Sequence, residues 1–331
     1  MPKILQTKSI YYNDCNLIAQ PAHENLKSRS DIPKDLRRIF VSPMSAVVGK
    51  TFVKEATSLG LSVGIHRFCD ANSQIETFKS TSHDYSNSYV SIGLNDWDRV
   101  SLLKDYSSNW IIDCANGYLS TQIKSVIERL KKEANIHKLV IGNIHSKEGI
   151  EIYEELGEEI YDVYFRVGIA CGSACSTSDA TGVNRGQITE LIECREYLDR
   201  KKLNNFKIIA DGGIKNGNYA SKAFGAGADF VMMGGFFSKA KEAETHIIND
   251  GTYWGGASSK QQELFGGKKR HSEGKVYKID AELRPLNELV DELWGGISSC
   301  ISYSGYNSLE KFIGNGVFEI KENSLPPGDR K

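Results

Sequence analysis

A chain of 331 residues that is 40% hydrophobic and 25% charged has ordinary globular composition, enough to bury one large core or two modest ones. A formal net charge of -1 provides no global positive field, which argues against nucleic acid or an anionic membrane as partner, so any phosphate must be bound locally. No apolar run approaches the roughly 18 residues of a membrane span, the opening MPKILQTKSIYY lacks the apolar segment of a secretory signal, and seven cysteines without paired short spacings fit reduced thiols. A cytoplasmic protein is the expectation.

In chain order, short β-rich runs fall at 39–43, 61–67, 88–93, 110–115, 138–144, 163–169, 207–213 and 230–235. Amphipathic spacing between several of them predicts helices over 120–134, 147–156, 187–202 and 219–225. Repeated strand-helix alternation implies a parallel sheet, and eight units predict a closed (β/α)8 barrel, the TIM-barrel architecture. Reactive or small residues repeatedly follow the strand ends: Met44, His66, Arg67, Asp113, Asn143, Cys175, Asp211 and the Gly234-Gly235 pair. A barrel brings such ends to one face, whereas an open sheet spreads them along an edge. No Pro-, Gly- or Ser-rich linker splits the chain, so residues 1–331 are expected to form a single domain. The stretch 251–275 is expected to be a mobile loop lying over the site.

Segment 166–177, RVGIACGSACST, leaves the sixth strand for a loop of small residues whose backbone can approach a ligand closely. Cys175 is a candidate nucleophile there; a cysteine is equally often a small buried hydrophobe. Cys171 completes a Cys-x3-Cys pair, but no second ligand pair follows at a zinc spacing. Asp211-Gly212-Gly213 and Gly234-Gly235 end the last two strands, where barrels bind phosphate through backbone N–H groups, and Ser173 could add a hydroxyl. Tight strand-to-helix turns use the same glycines; two such turns on adjacent strands favour phosphate. The run FGAGAD at 224–229 has the glycines of a dinucleotide fingerprint but precedes a strand, and is discounted.

The run IADGGIKNGNYASKAFGAGADFVMMGGFFSKAKEAE resembles the phosphate-binding strand pair of the IMP dehydrogenase/GMP reductase family, and RVGIACGSACSTSDATGV resembles its catalytic loop. WIIDCANGY, VIGNIHS, NLKSRSDI and GGISSCISYSGYNSLEKF match further segments in the right order, so the resemblance covers nearly the whole chain. It implies a barrel, a homotetramer and a covalent thioimidate at purine C2. Carried over by position, Cys175 is the nucleophile, Ser173, Gly213, Gly234 and Gly235 hold phosphate, and Asp211 holds the ribose hydroxyls. Asp113, Asn143 and Arg67 are implied for the nicotinamide cofactor, and the carbonyls of Ala170, Gly172 and Cys175 for a monovalent cation such as potassium.

Within the family, four features point to the reductase. Only about two dozen residues separate Ile65 from Val90, too few for the regulatory insertion of the dehydrogenases, and the Arg-Tyr dipeptide of their flap is absent. Arg270-His-Ser-Glu-Gly-Lys275 resembles the reductase segment whose Glu works with a Thr two residues after the catalytic Cys, here Glu273 and Thr177, with Arg270, Ser272 and Gly274 implied in substrate binding. The segment 113–118, DCANGY, also resembles the reductase. The resemblance thus implies NADPH-dependent conversion of GMP to IMP and ammonia. Its rivals are IMP dehydrogenase, a catalytically silent purine-nucleotide-binding protein and a flavin-binding barrel. Departures from the family pattern are Ala170 for a Gly, Gly256 for a base-contacting Met, Trp254 for a Tyr, Arg67 for a reductase Lys and the dehydrogenase-like Arg166. Those at 254 and 256 leave the exact purine open.

Overall fold

The computed structural model describes residues 5, 7–22, 28–82, 84–265 and 272–321. Its centre is a closed barrel of eight parallel strands. They are numbered here β1 (Ile39–Val41), β2 (Ser62–Ile65), β3 (Ser88–Ile92), β4 (Asn109–Asp113), β5 (Lys138–Ile144), β6 (Asp162–Val167), β7 (Phe206–Asp211) and β8 (Phe230–Met233). Each coincides with one of the runs read from the sequence. β8 pairs with β1 through Phe40 and Met232, which closes the cylinder and removes both sheet edges.

Alternation along the strands decides what fills the lumen. Phe40, Tyr89, Ile111, Val140, Tyr164, Ile209 and Met232 form a buried apolar cluster separate from the larger core. Seven strands thus contribute one residue each to this layer. On β2 the place falls to Gly64, where a Cβ would lie 3.0 Å from the Ile111 side chain. Full burial of each such apolar side chain stabilises the barrel by roughly 1.5–3 kcal/mol. The residues on either side, such as Ile39, Val41, Trp110 and Ile112, point outward into the core shared with the helices.

The same period of two carries the argument to function. Two residues beyond the apolar layer come Ser42, Asp113, Gly142, Arg166, Asp211 and Gly234, all toward the carboxyl ends of the strands. A polar or glycine layer therefore sits directly on a dry apolar plug, and the chemistry is placed by strand register before any loop is considered.

Two predicted helices differ from the sequence expectation. The stretch 147–156 divides into a helix Glu148–Glu151 and a 3-10 turn Glu154–Glu158. Its buried residues, Ile150, Tyr153 and Leu156, recur every three positions, the period of the tighter helix. The helix predicted from 219 starts two residues earlier, spanning Gly217–Gly225, because the Asn216 side chain caps it by accepting from the Tyr219 N–H. Helices Ser120–Glu133 and Gln187–Lys201 lie where expected. FGAGAD indeed ends a helix and leads into β8, with the Asp229 carboxylate accepting the Ile208 N–H at 2.8 Å.

The stretch 251–275 is more structured than a loop. Thr252–Trp254 forms a strand antiparallel to Val276–Lys278, and Ser259–Phe265 is helical. No helix among the described residues is long and apolar enough to cross a membrane.

Candidate active site

Above the barrel's carboxyl ends lies a cavity of about 1230 Å³. Its floor is a charge layer made by the register just described. Arg166 on β6 places Nη1 3.1 Å from Asp113 Oδ1 on β4 and Nη2 2.8 Å from Asp211 Oδ2 on β7. Burial works against the guanidinium charge, but the two carboxylates outweigh it and hold the Arg166 pKa above its ordinary value. Asn143 donates to the same Asp211 Oδ2 at 2.7 Å and to the Gly168 carbonyl at 2.8 Å. Among the described residues, the bonds that Arg166 and Asn143 make to the Asp211 carboxylate all fall on Oδ2. Arg67 extends the layer, its Nε 3.3 Å from Asp113 Oδ2.

One wall is the loop after β6. The Cys175 thiol donates to Thr177 Oγ1 at 3.2 Å, and the Thr177 hydroxyl donates to Glu273 Oε2 at 2.8 Å. Three sequence-distant segments hold this chain of groups in line. Ser176 N–H donates to the Glu273 carbonyl at 2.8 Å, Lys275 N–H to the Ala174 carbonyl at 2.8 Å, and Glu273 N–H to the Ala257 carbonyl at 3.2 Å. Gly274 bridges Cys175 on one side and Ser258 on the other; a Cβ there would lie 2.6 Å from the Ser258 nitrogen. Cys171 lies four residues before Cys175 in the same loop. Its sulfur is directed to the Ile169 carbonyl at 3.5 Å, and burial pushes its thiol pKa well up.

A second, adjoining wall is backbone. Gly212 and Gly213 have φ of 87° and 74°, a region that favours glycine. A Cβ on Gly235 would lie 3.0 Å from Ser173 Oγ, and one on Gly234 would overlap Met44 Sδ and reach 3.1 Å from Tyr253 Oη. The hydroxyls of Ser173 and Tyr253 thus converge with the glycine backbone at the ends of β7 and β8.

A family model described as IMP dehydrogenase / GMP reductase domain matches residues 28–324. The chain belongs to that family. Similar curated relatives carry the name GMP reductase. That of Caenorhabditis elegans is 28% identical, the match covering 96% of this chain and 93% of the relative. That of Onchocerca volvulus is 30% identical over 96% and 92%. GMP reductase 1 of Mus musculus is 27% identical over 96% of both.

Of the residues that the IMP dehydrogenase/GMP reductase resemblance singles out, Cys175, Thr177, Glu273, Ser173, Asp211, Gly213, Gly234, Gly235, Asp113, Asn143 and Arg67 all line the one cavity. Ser272 and Gly274 are not among its lining residues; the Ser272 hydroxyl donates to the Gly274 carbonyl at 3.1 Å and both brace the segment carrying Glu273. Arg270 lies outside the described residues. Ala170 and Gly172 line the cavity, and the Gly172 carbonyl accepts the Cys175 N–H at 3.0 Å. Trp254 is buried and is not among the residues lining the cavity, its indole N–H donating to Gln261 Oε1 at 2.8 Å.

Sequence reasoning missed Tyr253, Phe68 and His145, all of which line the cavity. Tyr253 alternates with Trp254 on one short strand, and period two alone does not say which of two adjacent aromatics faces in. His145 follows the end of β5, the position that marked other site residues.

Proposed function

We propose that the chain is an NADPH-dependent GMP reductase, converting GMP to IMP and ammonia through a covalent purine on Cys175. The hydrogen-bonded line from Cys175 through Thr177 to Glu273 carries this reading. Along it the thiol proton passes to Thr177 as the hydroxyl proton passes to the Glu273 carboxylate, freeing sulfur to attack C2 of the base. The C2–N bond then breaks, and the same relay returns a proton to the departing amine.

The nucleotide phosphate fits the wall formed by Gly213, Gly234, Gly235 and Ser173, with Tyr253 as a further hydroxyl donor. Oδ1 of Asp211 accepts from the ribose hydroxyls, while Arg166 and Asn143 hold its partner oxygen.

The cavity exceeds the roughly 300–1,000 Å³ of an ordinary small-molecule site, which leaves room for a nicotinamide cofactor beside the nucleotide. His145 Nδ1 is buried without a hydrogen-bond partner among the described residues, an orphan suited to a ligand's polar group. Asp113, Asn143 and Arg67 line the same cavity, with Tyr118 packed on His145 at 5.2 Å between ring centroids. NADPH bound there supplies the hydride that displaces sulfur from C2. Overall, GMP, NADPH and two protons give IMP, NADP+ and ammonium.

The test is direct. Purified protein mixed with GMP and NADPH should lose the absorbance of reduced cofactor and release ammonia. Alkylation should abolish this through Cys175, with GMP protecting. Turnover of IMP with an oxidised nicotinamide but none of GMP would make the chain a dehydrogenase, and inactivation that tracks Cys171 or Cys194 would remove Cys175 as nucleophile.

A further inference from the structure

Glu273 reaches Thr177 from a segment outside the barrel, so something must fix where that segment stands relative to the nucleophile loop. The strand Thr252–Trp254 pairs with Val276–Lys278, and the helix Ser259–Phe265 follows the first of them. From that helix Gln261, only 4% exposed, reaches the barrel. Its Oε1 accepts from Ser45 Oγ at 2.7 Å and from Trp254 Nε1 at 2.8 Å. Ser45 belongs to the loop after β1 and Trp254 to the outer strand, so a single oxygen joins barrel, strand and helix.

Packing alone does not account for an amide at this place. Gln261 Nε2 is buried with no hydrogen-bond partner among the described residues, a penalty of roughly 1–3 kcal/mol. The other half of the amide fixes the distance between two elements to within a hydrogen bond, which no apolar side chain can do. The consequence reaches Glu273 through main chain. Gly255, next to Trp254, donates its N–H to the Lys275 carbonyl at 3.1 Å, and the Ala257 carbonyl accepts the Glu273 N–H at 3.2 Å. The Gln261 N–H donates to Ser258 Oγ at 3.2 Å. Gln261 thus holds segment 255–258 at both ends, by its side chain at Trp254 and by its N–H at Ser258, and Glu273 rests on that segment. There is little slack against the nucleophile loop, since a Cβ on Gly255 would lie 2.5 Å from the Ala174 carbonyl oxygen.

We propose that Gln261 is a positioning residue for the reaction: by tying Trp254 to Ser45, it sets segment 255–258 at the spacing at which Glu273 Oε2 meets the Thr177 hydroxyl. Gln261 is not among the residues lining the cavity and acts only through Glu273. This rests on the reading of Cys175, Thr177 and Glu273 as a proton relay. Such a relay tolerates little displacement: a shift of about 1 Å takes the Thr177–Glu273 bond, 2.8 Å long, out of hydrogen-bond range.

Gln261→Met keeps the length of the side chain and removes the acceptor. In the full chain with GMP and NADPH it should lower kcat about tenfold or more, while the GMP Kd, read by calorimetry, stays within about twofold. The deciding measurement is a double-mutant cycle. Once Glu273→Gln has removed the titrating end, adding Gln261→Met should lower kcat by less than about twofold more, because both changes disable one relay. Ser45→Ala cuts the same tie from the barrel side and should show the same pattern with a smaller loss, which covers the case of a Gln261→Met chain that does not fold. Losses that multiply in the double variant would make Gln261 a structural residue independent of Glu273 and overturn the proposal. So would an unchanged kcat in both single variants, or a GMP affinity that falls in step with kcat. Failure of the relay reading itself shows separately and earlier, as absence of GMP turnover by the unmodified chain.

Discussion

The two walls of the cavity are built from different materials. The wall proposed to hold phosphate is main chain at the ends of β7 and β8, where Gly212, Gly213, Gly234 and Gly235 keep the space clear and strand pairing sets positions. The wall that carries the proposed nucleophile is a line of side chains, Cys175, Thr177 and Glu273, gathered by cross-loop pairing of segments about a hundred residues apart. Backbone donors do not titrate and cannot be mutated away. Side chains on loops can be tuned for proton transfer, and they depend on the loops being docked. Ground-state binding should therefore follow the first wall and turnover the second.

The largest expected effect tests that separation. Glu273→Gln keeps the shape of the relay and removes its titrating end, so kcat should fall by roughly 10²–10⁴-fold while the GMP Kd, read by calorimetry, changes little. A parallel loss in both would mean that Glu273 mainly docks its segment and that the two walls act as one.

Gly212→Ala should break the separation on purpose. The residue has φ of 87°, and a Cβ would lie 2.8 Å from the Gly172 nitrogen and 3.1 Å from the Cys171 carbonyl carbon, where the strand end and the nucleophile loop meet. Backbone cannot yield as a side-chain tip does. The expected outcome is roughly 1–3 kcal/mol less stability in urea unfolding, with kcat and GMP affinity both impaired. Unchanged affinity with reduced kcat would show that the loop gives way and the phosphate wall does not.

His66 stands at the end of β2, apart from both walls, and offers a control. Burial lowers its pKa from 6.5 to about 4. Between those values the unfolded chain takes up a proton that the folded chain refuses. Stability from this group is therefore complete above about pH 6.5 and is lost as pH falls toward 4, by roughly 1 kcal/mol at pH 5.5. Melting temperature should decline over that window, and less steeply for His66→Gln. Identical slopes for the two proteins would place the titrating group elsewhere.

Much of this was legible in the sequence because strand ends are marked by residues that strands do not otherwise tolerate. All eight barrel strands could be placed as short β-rich runs between helical patterns, and the family resemblance brought Cys175, Thr177 and Glu273 together across about a hundred residues. What stayed hidden depends on contacts between elements. That Tyr253 and not Trp254 faces the cavity is fixed by pairing with Val276–Lys278 and by the Trp254 bond to Gln261. The double grip of Arg166 on Asp113 and Asp211 depends on strands β4, β6 and β7 curving around one lumen, which no local pattern encodes. Phe68 was hidden for a similar reason, since its neighbour Gly256 is far along the chain.

The smallest expected effect concerns one residue in the nucleophile wall that behaves like the other wall. Ala170 has φ of 63°, in the left-handed region that favours glycine. For an L-residue with a Cβ this conformation costs roughly 1–2 kcal/mol, part of which glycine would return as greater freedom in the unfolded chain. Ala170→Gly should therefore raise the melting temperature by only about 2 °C. The kinetic consequence decides what the strain is for. With Cys175 held through Ser176 to the Glu273 carbonyl and the loop docked at Ala174 to Lys275, the six residues from 170 to 175 have little freedom to shift. Alkylation of Cys175 should then proceed at the same rate in both proteins. A faster rate in Ala170→Gly would show that the alanine stiffens the loop and restrains the thiol, making the nucleophile wall dependent on backbone conformation as the phosphate wall is.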